Sequence, residues 1–172
     1  KLNDKFPVLY TGNANLVGHE CILDIRELTD RSHVTAEDVC KRLMDFGFHA
    51  PTLAFPVPGT LMMEPTASES KEELDRLIEA METIHGEILE VAEDKVAVED
   101  SVLRNAPHTV TVVSTNEWDR PYSRTQAAFP VPSLRANKYF TPVGRIDGAG
   151  GDRHFVCECP PMEAFDLEAH AE

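Results

Sequence analysis

The feature that most constrains the fold is a long amphipathic helix, predicted over residues 71–91. Its apolar residues recur with the α-helical period and therefore share one face: Leu74, Leu77, Ile78, Met81, Ile84, Ile88 and Val91. Ser70, followed three positions later by Glu73, predicts a capping box at its start. With a rise of about 1.5 Å per residue, this helix would be about 31 Å long. Since its apolar face has to be covered, we expect a sheet or a second helix to pack beneath it.

A second helix is predicted before the long one. Thr35 with Asp38 forms a candidate N-cap pair, and Gly47 fits the position just after the last turn. The apolar stripe of this helix consists of Val39, Leu43 and Phe46. Residues 28–34, which precede it, are predicted to form a polar connector.

Strands are predicted at 16–25 and 60–63, and the apolar run 6–10 is expected to pair with the first of them in a β-hairpin. Pro7 would confine that run to a sheet edge. The order strand, helix, strand, helix predicts a βαβ unit with a right-handed crossover and helices covering one face of the sheet. The predicted fold class is therefore α+β, in the form of a two-layer sandwich.

The second part of the chain is less regular. Residues 109–114 (TVTVVS) are rich in β-branched side chains and predict a strand. Residues 118–140 contain three prolines and no clear period, which is typical of a functional segment or one that lies on another surface. The glycines of 147–152 predict the turn of a hairpin over 143–159. We therefore expect an α+β domain at 1–115 and, at 116–172, an extended, irregular, proline-rich tail with a β-hairpin packed on the same domain.

The composition limits the classes of partner. A net charge of −14 argues against nucleic acid and against anionic membrane surfaces. No apolar run approaches the length of a membrane span, while a hydrophobic content of 42% can supply a core. Four cysteines without a secretory context favour a reducing compartment.

Several longer motifs follow one another along the chain: FPVLYTG, HECILDIR, EDVCKRLMDFGFHAPT, MMEPTASESKEELDR, NAPHT, EWDRPYSR, AAFPVP, GRIDGAGGDR and CECPPMEAF. This series resembles the C-terminal domain of glycine dehydrogenase (decarboxylating), the pyridoxal-phosphate subunit, or P-protein, of the glycine cleavage system. The resemblance implies the small C-terminal domain of fold-type-I pyridoxal-phosphate enzymes, in agreement with the sandwich predicted from the pattern. It also implies that the chain is the last part of a longer enzyme.

The resemblance further implies an activity and partners for that longer enzyme. It would decarboxylate glycine with pyridoxal phosphate and pass the aminomethyl group to the lipoyl arm of the H-protein, working as a homodimer or heterotetramer. The family carries its Schiff-base lysine in a His-Lys pair followed by a glycine-rich stretch, and this sequence has neither. We therefore expect no cofactor binding and no activity from this chain without the upstream part. A cytoplasmic location is preferred, with the mitochondrial matrix expected for a eukaryotic source.

Five residues are candidates for lining a substrate cleft or lipoyl channel: His49, Glu64, Arg120, Tyr122 and Arg124. Arginine binds carboxylates through two parallel hydrogen bonds, and tyrosine adds a donor. The alternative, which we favour, is that the two arginines attach an irregular segment through backbone carbonyls. His49 would otherwise cap the end of a helix, and Glu64 would cap a turn.

Cys157 and Cys159 alternate with Glu158, so in a strand both thiols would point to the same side. They are candidate redox thiols; the alternative is a pair of ordinary reduced cysteines. Two thiolates without a further Cys or His pair do not predict a metal site.

A function of a different class also fits the composition and the pattern. The chain could be a stand-alone acidic α+β binding or regulatory module. The motif series favours the enzyme domain.

Overall fold

The computed structural model describes residues 1–154. Three strands form one antiparallel sheet in the order β1–β3–β2, where β1 is Cys21–Asp24, β2 is Thr52–Leu53 and β3 is Thr60–Met63. The helices are α1 (Arg26–Ser32), α2 (Ala36–Asp45), α3 (Lys71–Ala92), α4 (Val110–Val113), α5 (Arg124–Ala128) and α6 (Gly148–Arg153), and short 3-10 turns occur at Asn13–Asn15, Val98–Asp100 and Pro132–Arg135. The predicted α+β class is confirmed. None of the helices in this part of the chain is long and apolar enough to cross a membrane.

Helix α3 forms where its apolar period predicts it. The Ser70 hydroxyl accepts the Glu73 N–H at 3.1 Å, which caps the first turn. The second half of the predicted capping box is absent, because the Glu73 carboxylate binds Arg76 at 2.6–2.7 Å instead. The buried face of the helix includes Met81 and Ile84.

Helix α2 has complete signals at both ends. At its start the Asp38 N–H donates to the Thr35 hydroxyl at 3.2 Å, and the Thr35 N–H donates to the Asp38 carboxylate at 2.8 Å. At its end Gly47 adopts φ +83°, in the left-handed region that favours glycine. The Gly47 N–H then reaches the Met44 carbonyl at 3.0 Å, and the chain turns away from the helix.

The core lies between the sheet and the two longest helices. Leu23 of β1 pairs in register with Leu61 of β3, and both side chains are buried. They join one cluster with the predicted stripe of α2 and the face of α3: Val39, Leu43, Phe46, Met81, Ile84 and Ile88. Burial of apolar area therefore explains why β1, β3, α2 and α3 occur together.

The predicted βαβ unit is wrong, because β1 and β3 are neighbours but antiparallel. The missed element is β2, which pairs with β3 through Thr52–Met62 and Leu53–Leu61. A two-residue strand inside a proline-rich loop has too short a pattern to be recognised. Once β2 and β3 form a hairpin, the sheet has no parallel pair and needs no crossover.

Two segments predicted as non-helical are helices. Residues 28–34 were expected to form a connector, but α1 ends only at Ser32, and it starts where the Arg26 N–H donates to Asp24 at 3.1 Å. Residues 109–114 were expected to form a strand, but α4 forms after the Thr109 hydroxyl accepts the Val112 N–H at 3.3 Å. β-Branched residues favour strands only where a neighbouring strand pairs with them, and none does so here within residues 1–154.

The first predicted hairpin is confirmed only as a short contact. Val8 forms an isolated bridge with Leu23, and the Leu9 N–H donates to the Ile22 carbonyl at 2.8 Å. The second predicted hairpin is wrong at its turn, because 148–153 form α6, with Asp147 accepting the Gly150 N–H at 2.8 Å. The rest of that hairpin, from residue 155 onward, lies outside the described residues.

The segment 118–140 was expected to lack secondary structure, but it contains α5 and the 3-10 turn Pro132–Arg135. Both elements are short, and the Ser123 hydroxyl caps α5 by accepting the Gln126 N–H at 3.0 Å. The domain boundary near residue 115 stays a prediction.

Replacing Leu43 by alanine tests the assignment of the core. Leu43 is fully buried, so Leu43→Ala should lower the free energy of unfolding by about 2–5 kcal/mol, because it removes apolar contacts and leaves a cavity. Leu16→Ala is the matched control, since Leu16 is 68% exposed; its effect should stay within about 0.5 kcal/mol. Urea unfolding followed by circular dichroism measures both values. Equal losses in the two variants would contradict this core.

Candidate functional site

A buried arginine occupies the middle of α2. The Arg42 side chain is 0% exposed, and its guanidinium donates five hydrogen bonds. Two go to the Glu87 carboxylate of α3 at 2.7 and 2.9 Å, and one goes to Asp45 at 2.9 Å. The other two go to the carbonyls of Gln126 and Ala127 in α5, at 2.9 and 3.1 Å. Burial alone would lower the pKa of Arg42, but the adjacent carboxylates of Glu87 and Asp45 raise it above its ordinary value.

Asp45 connects Arg42 to His108. One carboxylate oxygen accepts the His108 backbone N–H at 2.7 Å, and the other lies 2.7 Å from His108 Nδ1. Burial alone would raise the pKa of Asp45, but the hydrogen bond from His108 and the charge of Arg42 lower it below its ordinary value. Asp45 is therefore a buried carboxylate with partners on both oxygens.

The chain of hydrogen bonds continues from His108 towards the surface. His108 Nε2 lies 2.9 Å from the Tyr122 hydroxyl, which accepts an N–H of Arg120 Nη1 at 3.0 Å. The same Nη1 also donates to the side chain of Asn105. If His108 Nδ1–H donates to Asp45, Nε2 can accept a hydrogen bond from the Tyr122 hydroxyl, so every link has a donor and an acceptor. Burial raises the pKa of Tyr122, against the opposing effect of Arg120, so the phenol keeps its proton.

Around the outer end of this chain lies the Trp118 cluster, which we define as Trp118, Arg120, Tyr122 and Arg124. The guanidinium carbons of Arg120 and Arg124 lie 5.7 and 5.4 Å from the centroid of the Trp118 ring, within cation–π range. The indole N–H donates to the Tyr122 carbonyl, and Arg124 donates to the Asn116 carbonyl at 3.2 Å. The structure thus brings together three of the five predicted cleft residues.

His49 and Glu64 lie elsewhere. Both are exposed; His49 precedes β2, and Glu64 follows β3. Because these strands are antiparallel, the two residues lie at the same end of the sheet. Glu64 also borders a surface cavity of about 420 Å³ formed by residues 17–21 and 64–67. Within residues 1–154, no hydrogen bond joins either residue to the Trp118 cluster.

Other site assignments stay predictions. Cys157 and Cys159 lie outside the described residues. Arg124 bonds a backbone carbonyl, as the attachment alternative predicts, whereas Arg120 bonds side chains. The functional role of both arginines is therefore still a prediction.

Sequence reasoning missed Arg42, Asp45, Glu87 and His108. The sequence does contain a signal for the ion pair between Arg42 and Glu87. Arg42 follows Val39 by three positions on the apolar stripe of α2, and Glu87 follows Ile84 by three on the apolar face of α3. Opposite charges on two facing apolar stripes are typical of a buried ion pair. His108 has no comparable signal, because its partners are far away in the sequence.

A second charged group lies at the start of α2. Asp38 is fully buried, and its carboxylate accepts an N–H of Arg145 at 2.7 Å. Arg145 also donates to the carbonyls of Leu103 and Ala106, at 3.3 and 3.2 Å. These bonds attach the segment around residue 145 to the first turn of α2.

Lys138 makes the corresponding attachment at the other end of α2. Its Nζ donates to the Asp45 carbonyl and lies 5.0 Å from the centroid of the Phe140 ring. Burial lowers the pKa of Lys138 to about 8.

Comparisons with known proteins agree with the motif series. The profile of the family described as "Glycine dehydrogenase, C-terminal domain" matches residues 1–108. The chain belongs to this family. It is also 56% identical over 165 residues to a protein of Akkermansia muciniphila named "Glycine dehydrogenase (decarboxylating)". That alignment covers 96% of this chain but 17% of the relative, so the chain spans about a sixth of the relative's length. The match does not favour a stand-alone module.

The described residues of this glycine dehydrogenase C-terminal domain do not fit pyridoxal phosphate. Such a site needs a lysine for the Schiff base and donors for the phosphate. Lys138 is half-buried, but it is engaged with Asp45 and Phe140. A cavity along α3 is lined by three carboxylates and by Lys71 and Arg76, but both cations are engaged, Lys71 with Asp75 and Arg76 with Glu73. The cavity beside Glu64 has no lysine or arginine. Within residues 1–154, no three His, Cys, Asp or Glu side chains come together to hold a metal ion.

Replacing Glu87 tests the buried ion pair. Glu87→Gln leaves the buried Arg42 charge without its main partner, so the free energy of unfolding should fall by about 3–5 kcal/mol. Glu82→Gln is the control on the same helix, since Glu82 pairs with Lys5 at the surface, where water and salt screen the pair, and its loss should leave stability nearly unchanged. Denaturant titration measures both. Similar small losses of stability in both variants would mean that the buried charge of Arg42 does not need Glu87 as its partner.

The lowered pKa of Asp45 predicts an acid-sensitive contribution to stability. Since the folded state keeps this carboxyl ionised below the unfolded-state pKa of about 3.9, its contribution is complete above that pH and is lost as pH falls through the lower folded-state pKa. Asp45→Asn should therefore be less stable near neutral pH and lose less further stability below about pH 4.

The control for this prediction is Asp75→Asn. The pKa of Asp75 is also lowered, by Lys71 and Lys1, but at an exposed site where salt screens the interaction. Unfolding curves from pH 7 to pH 2.5, with and without about 1 M NaCl, separate the two. If salt removed the acid dependence due to Asp45 as fully as that due to Asp75, Asp45 would not be a buried carboxylate.

Proposed function

We propose that this chain is the C-terminal domain of a glycine decarboxylase of the glycine cleavage system. The whole enzyme decarboxylates glycine with pyridoxal phosphate and transfers the aminomethyl group to the lipoyl arm of the H-protein. The observation that carries the proposal is 56% identity, over almost the whole chain, to a protein named glycine dehydrogenase (decarboxylating). Because the chain spans 17% of that relative, the cofactor lysine and its phosphate site belong to the remainder of the enzyme in this proposal.

The role we assign to this domain is to form one wall of the cleft and part of the surface that receives the carrier protein. The three-stranded sheet with α2 and α3 on its buried face supports a likeness to the small C-terminal sandwich of fold-type-I pyridoxal-phosphate enzymes. The Trp118 cluster supports the wall, because a hydrogen-bond chain from the domain interior holds Arg120 at the surface. His49 and Glu64 mark a second exposed position, at one end of the sheet.

The remaining parts of the proposal concern assembly and location. The enzyme forms a homodimer or a heterotetramer and works in the bacterial cytoplasm, or in the mitochondrial matrix if its source is eukaryotic. Cys157 and Cys159 are proposed as a redox-active thiol pair. Labelling the thiols with iodoacetamide before and after oxidation tests this last assignment.

The exchange of labelled bicarbonate into glycine tests the main proposal. The 172-residue chain should show no exchange alone, and it should restore exchange when co-expressed with a polypeptide that matches the rest of the relative. In the reconstituted enzyme, borohydride reduction followed by mass spectrometry should locate pyridoxal phosphate on that other polypeptide. Exchange by the second polypeptide alone at the full rate, or a stoichiometric adduct on one lysine of this chain, would refute the proposed division of roles.

A further inference from the structure

The charge of this chain is unevenly distributed along the sequence. The whole protein has 16 Lys and Arg against 30 Asp and Glu. Residues 118–153 have the opposite balance, with six Lys and Arg against three Asp and Glu, a net charge of +3. A basic segment on an acidic protein creates a local positive field, which favours the approach of anionic groups.

Three arginines of this segment differ from most other surface cations in their partners, whereas Arg145 pairs with the buried Asp38 at 2.7 Å. Seven partly or fully exposed cations outside it lie within 4.0 Å of a carboxylate: Lys1, Lys5, Arg26, Lys71, Arg76, Lys95 and Arg104. Arg31 and Lys41 have no such partner among residues 1–154. Arg120, Arg124 and Arg135 have no carboxylate within that distance among residues 1–154. On a chain with nearly two acids for each base, an arginine without a carboxylate of its own chain is available to a carboxylate of another molecule.

The geometry of the Trp118 cluster suits a carboxylate. Arg120 donates only from Nη1, to Tyr122 and Asn105, and Arg124 donates only from Nη2. Within residues 1–154, the Nε and Nη2 groups of Arg120 have no hydrogen-bond acceptor. These two groups form the edge of the guanidinium that binds a carboxylate with two parallel hydrogen bonds. A second guanidinium, from Arg124, lies against the same indole ring.

We propose that the Trp118 cluster is a docking site for the carboxylate side chains of an acidic segment of a partner protein. The inference rests on the proposed function, in which this domain meets a protein carrier, and it names the chemistry of the contact. A buried small-molecule site is disfavoured because the cluster borders neither of the cavities described above.

Tyr122 is a positioning residue in this site. Its hydroxyl connects Arg120 to His108, which is fixed by the buried Asp45. Arg120 is therefore held before the partner arrives, so docking loses less side-chain entropy than it would with a free arginine. Tyr122→Phe should weaken docking by about threefold without removing any charge, since it frees Arg120 to adopt other rotamers.

The sequence offers a direct probe. Trp118 is the only tryptophan of the chain, so its fluorescence reports on the cluster alone. The 172-residue chain would be titrated with a capped hexapeptide of Asp and Glu at low salt. The fluorescence emission should change and reach a plateau as peptide is added. Arg124→Gln should raise the apparent Kd by about tenfold, as expected for the loss of a charged hydrogen-bonding partner.

Two variants separate a specific site from net charge. Lys71→Gln removes the same unit charge from an exposed position paired with Asp75, and it should change Kd by less than about twofold. Arg124→Lys keeps the charge but loses the planar guanidinium, so its Kd should lie between those of the wild type and Arg124→Gln. Circular dichroism and the free energy of unfolding establish that each variant is folded.

Several outcomes would overturn the inference. They are a titration without saturation, equal weakening by Lys71→Gln and Arg124→Gln, or equal affinity for a hexapeptide of Asn and Gln. Binding of inorganic phosphate as tight as that of the acidic peptide would assign the cluster to small anions instead. None of these readouts involves glycine, so lost exchange activity with normal peptide binding refutes the proposed function and leaves the docking site standing.

Discussion

The structure depends on the burial of the Arg42 guanidinium between three elements. Moving a cation out of water costs several kcal/mol, and this cost is offset only where every N–H finds a well-placed acceptor. Arg42 meets that condition through Glu87, Asp45 and two carbonyls of α5. The relative positions of α2, α3 and α5 are therefore coupled, since moving any one of them leaves a buried charge or carbonyl without its partner.

Helix α2 transmits this constraint to the irregular second part of the chain. Asp38 lies in its first turn, where the helix dipole favours a carboxylate, and attracts Arg145. Asp45 lies in its last turn, where the dipole disfavours a carboxylate, so the charge there requires Arg42 and His108. Residues 103–146, which have little regular structure, are held by charged groups at both ends of one helix rather than by a sheet of their own.

Sequence predicted the elements whose signals are local and complete. Helices α2 and α3 have caps, apolar stripes and, for α2, a terminal glycine, and β3 is a compact apolar run. Prediction failed where partners decide the outcome. Residues 109–114 have strand-forming side chains, but no strand lies alongside them within the described residues, so their backbone hydrogen bonds close locally. The antiparallel sheet depends on β2, which contains only two residues.

The candidate site shows the same division. The types of residue in EWDRPYSR allowed carboxylate binding, although attachment of an irregular segment through backbone carbonyls was the favoured prediction, and the structure brings Arg120, Tyr122 and Arg124 together. The contact between Tyr122 and His108 could not be read from the sequence, because it depends on how residues 108 and 122 return to the end of α2. The buried pair of Arg42 and Glu87 could have been inferred, since both charges interrupt apolar stripes that have to face each other.

The interior and the surface of this domain are parts of one hydrogen-bonded system. A carboxylate that helps to neutralise Arg42 also orients His108, and through Tyr122 this orientation reaches the half-buried guanidinium of Arg120. Stability and recognition therefore share residues: a change that loosens Asp45 would also allow Arg120 to move. Such coupling suits the docking role that we propose for this surface, since rigid side chains lose less entropy when a partner docks.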